Sequence, residues 1–266
     1  MNTANVLIAS TRDNSARLSP YVQEARFDLL KMLRLPMYSV ASIAFPVMFY
    51  LLFGIVFGRQ GGHGPEVASY LLCSYGAFGV IGASLFGFGV GVAMERGQGW
   101  LEVKRASPMP PSAYFVAKLF TCMTFSIAIV TSLMLIGFTA GGVRMSALQT
   151  ATLMLVLFAG SIPFCSLGLA IAYFVGPNSA PAVVNILYLA VSFCSGLWIP
   201  INMLPHTLQR IAPTLPPYHL GQLALMVIGA GRGTVAEHLT GLIGTTCIGL
   251  GLAFLGFRRD EQKTYG

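Results

Sequence analysis

Five stretches of this chain, residues 35–58, 67–94, 119–143, 145–209 and 239–257, contain no Asp, Glu, Lys or Arg. A helix needs about 20 apolar residues to cross a ~30 Å hydrocarbon core, so each stretch has room for at least one crossing. Charged residues make up 9% of the 266, far below the ~25% of ordinary soluble domains. Too little polar surface is left to cover a soluble core of this size. The expected fold class is therefore an all-α integral membrane protein.

The crossings are expected at about 36–58, 67–94, 114–139, 147–175, 182–199 and 238–257. The first carries Pro46 at its middle, which a membrane helix tolerates when neighbours satisfy the freed carbonyl. The second is rich in glycine, and Gly54/Gly58 and Gly87/Gly91 have the spacing that lets helix backbones approach. Gly176-Pro177-Asn178 and Pro181 break the chain between the fourth and fifth crossings. Residues 200–236 fit no simple crossing. They hold five prolines, and the apolar run from Leu220 to Ala230 has the length of a re-entrant or interfacial segment.

Before the first crossing, residues 1–18 form a polar tail and 19–35 follow a helical pattern. Val22, Ala25, Leu29, Leu30 and Leu33 share one face, and Gln23, Glu24, Asp28, Lys31 and Arg34 the other. This amphipathic helix either lies in the membrane interface or stands as a solvated juxtamembrane helix. Residues 1–34 are polar and the first apolar segment is long enough to span, so no signal peptide is expected.

The net charge of +7 reads as topology, not nucleic-acid binding, because the basic residues flank apolar segments. With six crossings and the N-terminus inside, twelve Lys and Arg lie on the cytoplasmic side and four outside. A seventh crossing at 211–231 would turn the C-terminal tail (258–266) outward and leave ten against six. The positive-inside bias favours six crossings with both termini cytoplasmic.

The sequence offers little chemistry of its own. The five cysteines all fall in apolar segments without CxxC spacing, so they read as small buried hydrophobes. No Lys follows Gly, which excludes a GxxxxGK[ST] phosphate-binding loop. GxSxG, HExxH and paired carboxylates within a crossing are missing too, so no catalytic residue and no metal site is expected. His206 and His219 could approach each other outside, but loop histidines are usually just solvated. No ionisable residue sits near the middle of a crossing, where a proton-coupled carrier needs one. An ion-coupled secondary transporter remains the alternative class. Energy for uphill movement would come from a partner.

The loop between the second and third crossings, 95–113, contains a short charged helix with an apolar edge: Glu95, Arg96, Gly99, Trp100, Leu101, Glu102, Val103, Lys104 and Arg105, ending at Ser107-Pro108. It is either a docking knob for a soluble partner or an ordinary surface loop. Its residues resemble the "ERExGTLExLxxxPL" segment of type 2 ATP-binding-cassette permeases, matching at Glu95, Arg96, Gly99, Leu101, Glu102 and Pro108. Gly97 and Trp100 depart from the pattern. Ser195 to Pro205 resembles the same family's "SGxxxPxxxLP" signature, and the run from Leu208 through Pro216 its "LxxIxxxxP" continuation.

The resemblance implies a bacterial inner-membrane exporter subunit. Helix 19–35 would be a connecting helix, and 95–108 a coupling helix docked on an ATPase subunit through Glu95, Arg96, Gly99, Trp100, Leu101, Glu102, Lys104, Arg105 and Pro108. Residues 200–236 would be outer re-entrant helices, with Gly196, Pro200, Leu204, Pro205, Pro213 and Pro216 at an outer gate. The transmembrane domain would span 36–257. The implied partners are two copies of an ABC ATPase, which would hold the ATP and Mg, a second permease copy or a sister permease, and membrane lipid. The implied cargo is hydrophobic or amphiphilic, a drug, an antibiotic or a lipid-like molecule, with a lipid-linked glycan as the other option.

Overall fold

The computed structural model describes residues 20–58 and 64–264, apart from the side chains of a few residues, Arg105 among them; the tail expected over 1–18 lies outside the described residues. Within them every regular element is helical and none is a strand. Five helices are long and apolar enough to cross a membrane.

Helix α1 covers 20–33. Helix α2, Pro36–Phe49, starts on a proline, whose missing N–H costs nothing at that position, and runs on as a π-helical stretch, Tyr50–Phe57. Pro46 lies inside this helix and offers no N–H to the Ser42 carbonyl, and the wider turns begin four residues after it. Helix α3 runs unbroken from Gly64 to Gly97, with π-helical turns at Leu85–Val90. Every residue from Leu71 through Leu85 is buried. Of the crossing helices only α3 is surrounded, with 78% of its most apolar window buried against 22% for α2.

Helix α4, Trp100–Ala106, follows a turn at Gly99, and α5 covers Pro111–Thr139. The fourth crossing is a pair, α6 (Ala147–Ala159) and α7 (Ser161–Phe174), meeting at Gly160. Helix α6 opens with a capping box. Ser146 accepts from the Gln149 N–H, and the Gln149 side chain accepts from the Ser146 N–H. Against α3, α7 comes to backbone contact: a Cβ on Gly168 would lie 2.9 Å from the Gly89 nitrogen. No larger residue allows that approach.

Helix α8, Ala180–Cys194, is shorter than the crossing expected at 182–199. Its 15 residues rise about 22 Å, less than a ~30 Å core. The stop is local chemistry, since Gly196 takes a left-handed φ of +77° and Pro200 follows. The remainder of 200–226 holds two 3₁₀ turns (Ile201–Met203 and Ala212–Thr214), α9 (His206–Ile211) and α10 (Pro216–Met226). The apolar run too short to cross becomes α10, buried from Leu220 to Leu225 against α3, α6 and α11. Helix α11, Val235–Thr264, packs along α7.

Aromatic rings join α2, α3 and α8. Phe49 meets Trp198 at 4.9 Å, and Phe78 stacks on Tyr188 at 4.5 Å. Outward faces of α2 and α11 carry Val40, Ile243, Ile248, Phe254 and Leu255, all exposed. Such surfaces are stable where the solvent is lipid.

Candidate functional site

Helix α3 ends in Glu95 and Arg96, which point about 100° apart and reach different neighbours. Glu95 turns inward and is 4% exposed. Its carboxylate accepts from Lys118 Nζ at 2.8 Å, Lys31 Nζ at 2.7 Å and the Tyr114 hydroxyl at 2.7 Å. Lys118, at 1% exposure, also donates to Asp28 Oδ1 at 2.6 Å. Tyr114 and Lys118 lie one turn apart on α5, so one helix face delivers both.

Helix α1 supplies the opposite wall. Glu24, Asp28 and Lys31 form one stripe at helical spacing, and this polar stripe faces the protein. Glu24 pairs with Lys104 of α4. The apolar side chains of Val22, Phe27 and Leu33 are left exposed. Helix α1 thus buries both kinds of side chain, since Met32 is in the core and Leu29 packs against it, while Gln23, Arg26 and Arg34 are exposed. Three cations, Lys31, Lys104 and Lys118, balance Glu24, Asp28 and Glu95. A buried charge without a counter-ion would cost several kcal/mol.

Arg96 closes the neighbouring corner. It donates to the carbonyls of Tyr173 and Val175, both at 3.1 Å, and pairs with Asp260 at 3.1 Å. Those carbonyls end α7, where a helix has acceptors without partners and favours a cation. Through Glu95 and Arg96, the last turn of α3 is bound to α1, α5, α7 and α11.

Glu95 and Arg96, expected on a docking surface, are therefore engaged within the chain. Leu101 is half-buried against the cluster around Phe88, Val92 and Tyr114. Lys104 is half-buried on Glu24, and the side chain of Arg105 lies outside the described residues. Gly99 has a φ of +76° and nothing near its missing Cβ, so it is there for the turn. Trp100, Glu102, Val103 and Pro108 are exposed. The outward face of α4 is Trp100, Glu102 and Val103, over a hollow of about 350 Å³ lined by Glu24, Phe27, Asp28, Lys31, Gln98 and Trp100.

The residues from Gly196 to Pro216 gather at the other end of the bundle. There Leu204 is buried with Ile201, Ala212 and Tyr218, while Pro205 and Pro213 are exposed and Pro200 and Pro216 half-buried. A Cβ on Gly196 would come 3.1 Å from Ile201 Cβ.

Residues 24–228 match the ABC-2 type transporter family. The chain belongs to that family. It is also 26% identical, over 207 residues, to "Putative transport permease YvfS" of Bacillus subtilis (strain 168), covering 78% of this chain and 84% of that one. The protein is thus a multi-pass ABC transporter permease subunit, and its motor partner is an ABC ATPase. The family match begins at Glu24, the first acid of the inward stripe of α1. The permease keeps Asp28, Tyr114 and Lys118 in the knot, three residues that sequence reasoning assigned to a polar face, a crossing and a topology signal. A lysine placed about two turns inside an apolar helix is the signal that could have found them.

Proposed function

We propose that this permease exports a hydrophobic or amphiphilic molecule, with α4 docked on the ATPase and α1 lying in the cytoplasmic membrane interface. Two ATPase copies would engage a pair of permeases and supply the ATP and Mg, and this chain would hydrolyse nothing itself. The observation that carries the reading is the knot around Lys118. It ties the exposed knob of α4, through Glu24, Asp28 and Glu95, to α1, α3 and α5. Motion imposed on α4 is passed to the crossings by ion pairs at hydrogen-bond distance instead of by a loose loop. Residues 200–226 would cap the outer side, with Gly196, Pro200, Leu204, Pro205, Pro213 and Pro216 in that cap.

The cargo class is supported by a cavity of about 450 Å³ between α2, α3 and α8. Phe45, Met48, Phe86 and Tyr188 give it aromatic and thioether walls, and Ser42 and Asn185 are the polar groups offered. An apolar pocket with few oriented polar groups suits an amphiphile better than an ion.

The test is reconstitution with the cognate ATPase in vesicles. ATP should drive accumulation of an amphiphilic probe in inside-out vesicles, with α4 facing the added nucleotide. Trp100→Ala combined with Glu102→Lys should lower ATPase co-purification and transport together while insertion is unchanged. Transport that survives ATP depletion but collapses with an ion gradient would overturn the proposal.

A further inference from the structure

Helix α11 is held to Arg96 at Asp260, so its start at Val235, about 25 residues or about 38 Å away, lies at the opposite end of the bundle. A second polar contact sits there, separate from the knot around Lys118. His219 of α10 and His238 of α11 face each other with Nδ1 atoms 3.0 Å apart. His238 is fully buried and His219 half-buried. The Nε2 atom of His238 lies 2.7 Å from the carbonyl oxygen of Arg232.

A carbonyl only accepts, so His238 carries its proton on Nε2 and, when neutral, presents a bare Nδ1. His219 must then hold a proton on its own Nδ1 and donate it across the gap. One further proton fits, on Nε2 of His219, with the bridge intact. A second has only the bare Nδ1 of His238 to go to. There two N–H groups on two cations would meet at hydrogen-bond distance.

The His219 ring is closed off on the side of α11. A Cβ on Gly241 would fall 2.5 Å from His219, so that ring already lies on bare backbone. Arg232, whose carbonyl holds His238, also donates its N–H to Gln222 Oε1 of α10 at 2.7 Å. The linker and both helices thus share one set of bonds.

We propose that His219 and His238 form a one-proton latch, which holds α10 to α11 until a second proton forces the two helices apart. The charged and titratable neighbours are Glu237 beside His238, Arg232 in the linker, Tyr218 beside His219, and Tyr70 of α3. Burial first, and then the field of His238, hold the His219 pKa below its usual value, and Glu237 and the Pro213 carbonyl oppose both. Burial raises the Tyr218 hydroxyl above its ordinary range, so it stays neutral and takes up none of the charge. The latch is independent of what the permease carries.

The full chain in lipid nanodiscs tests this by hydrogen exchange of residues 216–240 from about pH 7.5 to 5, corrected for intrinsic rates. If the open form alone takes the second proton, opening rises about tenfold per pH unit once that titration begins. His238→Asn, whose side-chain oxygen accepts from either charge state of His219, should abolish the rise. Should that variant fold poorly, ¹⁵N histidine spectra of the unaltered protein decide. The pair must titrate in two steps separated by more than about one pH unit, the lower one tracking the exchange. A single shared step, a flat exchange profile, or an unchanged rise in His238→Asn would overturn the latch.

Discussion

Lys118 illustrates how a residue type can be read correctly and its role missed. As a lysine near the end of an expected crossing it counts as a topology signal under the positive-inside rule. In the fold it is almost fully enclosed, with Asp28 on one side and Glu95 on the other. Its worth follows from what removing it leaves behind. Lys118→Met strands Asp28, which already has an oxygen without a partner, leaves Glu95 to Lys31 and Tyr114, and should destabilise the fold by about 3–5 kcal/mol. Asp28→Asn keeps Lys118 paired with Glu95 and should cost less. Combining Lys118→Met with Asp28→Asn should recover part of the loss, because the buried charges again balance against Lys31. Thermal unfolding of the four proteins in one detergent measures the coupling as a double-mutant cycle.

At the scale of elements, α1 and α4 are placed by contacts, not by their own patterns. Helix α1 is fixed by Lys104 of α4 and Lys118 of α5, which pair with its Glu24 and Asp28. Helix α4 has seven residues and depends on the turn before it for its direction. Gly99→Ala puts a Cβ in a left-handed conformation at a cost of about 1–2 kcal/mol. It should weaken ATPase coupling while leaving membrane insertion intact. Gly176→Ala, where a Cβ meets nothing and φ is not left-handed, is the matched control and should leave both unchanged. Vesicle transport and ATPase stimulation, measured side by side, separate the two. Helix α7 tolerates less, since Gly168→Leu would drive a side chain into the backbone of α3, and loss of the folded protein in size-exclusion profiles is expected.

For the whole molecule, one consequence of the bundle is that Trp100 and Met203 lie at opposite ends of it, and both are exposed. In a background without reactive thiols, Trp100→Cys should be protected from a membrane-impermeant reagent in intact cells. Met203→Cys should be labelled. Labelling of both from outside would show that the bundle is not oriented as proposed.

The distribution of charge along the chain was enough to determine that it is helical, that it lives in lipid, and where five long apolar helices run, because apolar length and lipid thickness constrain the solution. The break at Gly176-Pro177-Asn178 was legible too, and it falls between α7 and α8. Pairing was beyond it. That Glu95 meets Lys118, that the acids of α1 face inward, and that His219 finds His238 depend on which helix faces touch. A charged residue has the same letter whether water or a buried counter-ion stabilises it, and only the packed bundle decides which of the two it meets.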